Sequence, residues 1–173
     1  VLVGEYAIIL LFVVAYNALI SPLHTYLVSQ LGIMLDLHHE KLTDLLKMVN
    51  RLQLTIVTIS FFSTLAFGNV ILEYLSPNHT HLFLPLVLAM FFFGVAIATS
   101  LPMRILMHSN YRIAAFGLKS FRLLACCLLL SVLVPHYGII GAIISDTLPM
   151  IITNLISARI CQKQLSINGL SIK

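Results

Sequence analysis

The sequence predicts an all-α, polytopic bundle of membrane helices with about five spans. Three observations carry that expectation. Hydrophobic residues make up 60% of the 173-residue chain, charged residues only 9%, and the mean hydropathy is +1.02. A soluble domain covers its surface with roughly a quarter charged residues, so the solvent expected here is lipid. The apolar residues also fall in long runs separated by short polar turns. A span needs about 20 mostly apolar residues, and in lipid each such run must satisfy its own backbone hydrogen bonds, which selects helix.

Taken in order, the first run extends from about Tyr6 to Leu35, interrupted by Ser21-Pro22, where the missing backbone donor predicts a tilt or kink. The stretch Asp36 to Arg51 differs. Leu42, Leu45, Leu46 and Val49 recur at helical spacing, with Lys41, Asp44 and Lys47 on other faces. It reads as an amphipathic helix on the membrane surface or as the extended foot of the second span. That second span runs from about Leu52 to Leu75 and ends at the Ser76-Pro77-Asn78 turn. The third covers Leu82 to Met107, followed by a His108-Ser109-Asn110 connector. The fourth and fifth cover Ile113 to Val134 and Ile139 to Ile160, joined by Pro135-His136-Tyr137-Gly138. Residues 163–173 are left as a cytoplasmic tail. The chain opens at Val1 without a basic leader and cleavage site, so a signal peptide is not expected and the segment reads as a piece of a longer gene.

Charge sets the expected orientation. Lys41, Lys47 and Arg51, then Arg104, Arg112, Lys119 and Arg122, then Arg159, Lys163 and Lys173 all fall on or toward one side. By the positive-inside rule that side is cytoplasmic, with the N-terminus outside and the C-terminus inside. An odd number of spans satisfies this. The net charge of +4 is then topology, and nucleic acid is not called for.

Enzyme chemistry has no footing in these residues. There is no Gly-rich phosphate loop, HExxH or GxSxG, and the seven histidines are scattered, so neither metal nor cofactor is expected. Cys126 and Cys127 read as small apolar filler; Cys161 lies near the tail, and the three lack metal-ligand spacing. Asn78-His79-Thr80 matches a glycosylation sequon on the expected outer side.

Ionisable residues inside spans say more, because they are costly in lipid and tend to face a cavity or a partner. Arg122 lies near the bilayer middle or on its cytoplasmic side, where it either faces a cavity or snorkels inward beside Lys119. Asp146 is too short to snorkel and must pair, protonate or face water; its candidate roles are counter-ion to an arginine or ion coupling. Glu5 and Glu73 lie near the outer interface, where they are hydrated. Arg104, after Pro102, reads as an interfacial anchor that can also face the cavity. Asn17 and His24 share a face of the first span, with Gln30 somewhat off it.

The run Leu133-Val134-Pro135-His136-Tyr137-Gly138-Ile139-Ile140-Gly141-Ala142 resembles the C-terminal half of polysaccharide biosynthesis flippases. These belong to the multidrug/oligosaccharidyl-lipid/polysaccharide exporter superfamily, whose pattern there is L-x-P-x-Y/F-G-I-x-G-A-A. Ile143 departs from it at the last position. Pro135 and Gly138 would make a tight outer turn, with Gly141 and Ala142 allowing close helix packing. Gly4-Glu5-Tyr6-Ala7 resembles the opening of the second helix of that half, and Asp36 to Arg51 its cytoplasmic connector.

The resemblance implies a two-lobed, MATE-like fold of which this chain would be helices eight to twelve, lacking an N-terminal helical half. It implies a non-enzymatic transporter of the bacterial inner membrane that flips undecaprenyl-linked oligosaccharide for O-antigen, capsule or exopolysaccharide. Arg122, Arg104, Asn17 and His24 are the expected cavity residues and Asp146 the expected coupling or counter-ion residue. The competing expectations are a multidrug cation antiporter, a membrane-embedded polysaccharide polymerase and a structural subunit.

Overall fold

The computed structural model describes the backbone of residues 2–37, 39–75 and 77–164, and side chains at 4–31, 43–74 and 79–163. The side chains of Lys41, Leu42 and the sequon's Asn78, and the tail at 165–173 with Lys173, lie outside the described residues. The chain is an all-α membrane helix bundle: α1 (Leu2–Leu37), α2 (His39–Leu75), a 3-10 segment (Pro77–Leu82), α3 (Phe83–Ala98), α4 (Leu101–His108) and α5 (Arg112–Gln164). Four helices contain segments long and apolar enough to cross a membrane: Gly4–Leu31, Thr43–Tyr74, His79–Ala98 and Arg112–Lys163.

The helices bear on three expectations. The stretch from Asp36 to Arg51 is no separate surface helix; α2 begins at His39 and runs unbroken into the second span, the other alternative. Its Leu45, Leu46 and Val49 are buried against α1 and α4, which fixes it as part of the bundle. The single third helix expected over Leu82 to Met107 is two helices, broken at Thr99–Ser100. Pro102, in the first turn of α4, has no N–H to continue the ladder from α3. Pro22, where a tilt or kink is expected, does not interrupt the first span: α1 continues as helix through it.

The fourth and fifth spans are the two arms of α5, folded back on each other at Gly138. Its φ of 55° and ψ of −127° lie in a region open to glycine and closed to most L-residues. Three residues on, a Cβ at Gly141 would fall 2.4 Å from the Leu133 carbonyl oxygen, so the backbones touch where the arms leave the turn. At the far end Ala115 and Cys161 sit in one buried cluster, which completes the antiparallel register. The second arm meets α3 and α4 through a row of buried small residues at four-residue spacing: Gly141, Ser145, Pro149, Thr153, Ser157 and Cys161. Small side chains let helices approach closely where no hydrophobic force separates protein from lipid.

Two apolar clusters make the core. One gathers Ile9, Val13, Tyr16 and Ile20 of α1 with Leu86, Met90, Phe93 and Ile97 of α3 and Ile143. The other gathers Leu27 and Leu31 of α1, Leu45, Leu46 and Val49 of α2, and Leu101, Met103, Ile105 and Leu106 of α4. The α3–α4 break lies between them, and so do His24, Gln53 and Asn154 of the candidate site described next.

Candidate functional site

Ending a helix inside a bundle frees carbonyl oxygens that have no water to turn to. At the α3 terminus two of these are met by side chains from other helices. Asn154 Nδ2 donates to the Ala96 oxygen at 2.8 Å and lies 3.3 Å from Thr99 Oγ1. Gln53 Nε2 donates to the Ile97 oxygen. Both side chains are buried, Gln53 completely. A polar layer thus crosses the bundle at the level of the break, between the two apolar clusters.

The layer extends to α1. His24 Nε2 lies 2.9 Å from Gln53 Oε1. Since the Gln53 amide nitrogen is committed to the Ile97 carbonyl, its oxygen faces His24, and the His24 Nε2 must carry the proton. On the neutral ring, Nδ1 is left as an acceptor. The chain His24–Gln53–Ile97 therefore joins α1, α2 and α3 in one direction of donation.

Beside this layer lies a cavity of about 320 Å³ lined by Asn17, Ser21, His24, Thr25 and Val28 of α1 and Arg104 of α4. The α1 residues fall at intervals of four, three, one and three, a single helical face. Three of the residues singled out from sequence, Asn17, His24 and Arg104, are brought together here; Gln30 is not among the lining residues. Arg104 forms no ion pair with any described residue, and its buried Nε has no hydrogen-bond partner. A guanidinium in this position offers unsatisfied donors to an anion. The cavity holds one fixed cation, one imidazole, an amide and two hydroxyls, and no carboxylate.

Arg122 and Asp146 stand apart from it. Arg122 Nη2 is 3.3 Å from Asp146 Oδ1, across the two arms of α5, with both side chains about one-third exposed. Arg122 thus does not line the cavity; it has a partner instead, and Asp146 takes the counter-ion role. Near the α1 start, Glu5 Oε1 lies 3.3 Å from His81 Nε2 of the 3-10 segment, so Glu5 is tied to the bundle rather than simply hydrated.

Gln53, Asn154, Ser157 and Cys161 were not singled out from sequence. Ser157 Oγ approaches Met103 Sδ at 3.5 Å, and Cys161 Sγ approaches the Pro102 carbonyl at 3.3 Å. Cys161 is therefore a small polar contact that seats α4, while Cys127 is exposed. The signal available was Pro102: a proline inside an apolar run leaves carbonyls unmatched, and buried amides on neighbouring spans are the groups that can answer them.

Compared with known proteins, no family model matches the chain, and neither a curated protein nor a solved structure is significantly similar to it.

Proposed function

We propose that the chain is the C-terminal part of a bacterial inner-membrane flippase that moves undecaprenyl-linked oligosaccharide for O-antigen, capsule or exopolysaccharide assembly. The observation that carries this reading is the cavity at the helix break, where an unpaired Arg104 faces Asn17 and His24. A diphosphate needs cationic donors, and a sugar needs mixed donors and acceptors; the cavity offers both. The lipid tail would stay in the bilayer. An N-terminal helical half would face this one and rock against it to alternate access. The basic residues on one side put the N-terminus outside and the C-terminus in the cytoplasm. The discontinuous α3–α4 pair supports the reading, because transporters place binding sites at broken helices. So does the turn motif, whose Gly138 and Gly141 occupy positions that geometry restricts to glycine.

Asp146 is the coupling residue in this proposal: a proton on its carboxylate would release Arg122. A cation antiporter would place a carboxylate in the cavity, and the described lining has none. The test is Arg104→Ala in the polypeptide that carries this chain. Surface glycan should fall at least tenfold, with lipid-linked precursor accumulating on the inner leaflet and the protein still in the membrane. Normal surface glycan at normal protein level would dismiss the flippase reading.

A further inference from the structure

A second surface, on the lipid-facing flank of α2, has its own logic. Asp44, Lys47, Met48, Arg51 and Leu52 line a shallow recess of about 670 Å³. Directly along the helix, Val57, Phe61 and Phe62 of α2 and Phe91 and Gly94 of α3 line an apolar groove of about 280 Å³. Lys47, Arg51, Thr58 and Phe62 fall within about 60° of helix arc at 100° per residue, so recess and groove share one face.

The groove is built into the packing. A Cβ at Gly94 would meet Val57 Cγ1 at 3.0 Å, and the absent side chain leaves the floor open. Phe61 and Phe91 pack edge to face at 6.0 Å as its wall. Phe62 and Phe91 are 62% and 51% exposed, with ring surface left for a ligand.

Depth matches a lipid. Leu54 to Tyr74 is about 30 Å of helix, the thickness of the hydrocarbon core, so Arg51 stands one turn outside it at headgroup level. Arg51 to Phe62 is about 16 Å, the depth of one leaflet. Asp44, Lys47 and Arg51 form no ion pairs with described residues. Two cations nearest the hydrocarbon suit a phosphodiester, and the carboxylate one turn farther out suits a primary ammonium. An anionic headgroup would leave Asp44 facing like charge; a quaternary amine would offer it no N–H donor.

We infer that this flank binds one membrane phospholipid with a primary-amine headgroup. Its phosphodiester sits at Lys47 and Arg51, its ammonium at Asp44, and an acyl chain in the Phe62–Phe91 groove.

The experiment is native mass spectrometry of the detergent-purified chain, offered equal amounts of dioleoyl phosphatidylethanolamine, phosphatidylcholine and phosphatidylglycerol. The expected result is an ethanolamine adduct at least threefold above either competitor. The Lys47→Ala, Arg51→Ala double variant should lose it at least fivefold. Asp44→Asn should bring the ethanolamine and choline adducts to equality. Asp44 and Arg51 are exposed and Lys47 is half-buried, and unchanged helicity by circular dichroism certifies the fold of each variant. Equal adducts for the three lipids on the native chain, a phosphatidylglycerol preference, or binding indifferent to the double variant would each overturn the inference.

Discussion

Arg122 and Asp146 are 24 positions apart in the chain and 3.3 Å apart in space, one on each arm of the α5 hairpin. A straight helix would separate them by about 36 Å, so their contact depends on the reversal at Gly138. The pair also answers an energetic need, since either charge alone near the middle of a span costs about 2.5–3.5 kcal/mol on insertion scales.

Removing one partner should therefore do more harm than removing both. Arg122→Ala or Asp146→Asn is expected to lower stability by on the order of 2 kcal/mol, a figure below the fully buried case because the pair is partly exposed. The charge swap Arg122→Asp with Asp146→Arg should recover at least half the loss. Reversible unfolding in mixed micelles measures all three, and additive single and double losses would rule out a direct pair.

Gly141→Ala places a methyl 2.4 Å from a backbone oxygen that cannot move without opening the hairpin. A loss of more than about 2 kcal/mol is expected, at the upper range of overpacking. Gly4→Ala, in helix with open space around it, serves as the control and should stabilise by about 0.5 kcal/mol. Thermal unfolding in detergent separates the two.

Gln53→Leu keeps the volume but removes two hydrogen bonds at once. His24 Nε2 loses its partner, at about 1–3 kcal/mol for a buried group left unsatisfied, while the Ile97 carbonyl keeps the Ser100 N–H. Nitrogen-15 NMR of the His24 ring should show the Nε2–H tautomer in the native chain and a mixture in the variant. A native spectrum dominated by Nδ1–H would contradict the orientation assigned to the Gln53 amide.

Asn154→Leu removes one of two side-chain donors to the Ala96 carbonyl, which Thr99 Oγ1 still serves, so a cost of about 1 kcal/mol is expected. Its effect should grow when Thr99 is already valine, because Thr99 Oγ1 is the other side-chain donor to that carbonyl and its loss leaves none. A double-mutant cycle reads the coupling; strict additivity would place the two side chains in separate networks.

The helix content and the position of each apolar run were legible because lipid leaves a chain few options. The Asn17–His24 face was legible too, since seven residues are nearly two full turns. Arg104 joined them for a reason sequence reading did not reach: Pro102 ends one helix and starts another, and α4 carries Arg104 to the cavity. Gln53 and Asn154 were illegible as single polar residues, with no periodicity of their own. Their meaning comes from carbonyls on a different helix. Arg122 was read as facing either a cavity or the membrane surface, because the hairpin register that gives it Asp146 depends on a long-range fold-back.

The one-residue link at Gly138 has a bearing on how the chain enters the membrane. Its two arms have no loop long enough for one to be threaded while the other waits at the surface. They must partition into lipid together, with Arg122 already neutralised by Asp146. The hairpin is therefore the unit of insertion, and glycine at its apex decides whether the last third of the protein crosses the bilayer twice or lies as one overlong helix that fits no membrane.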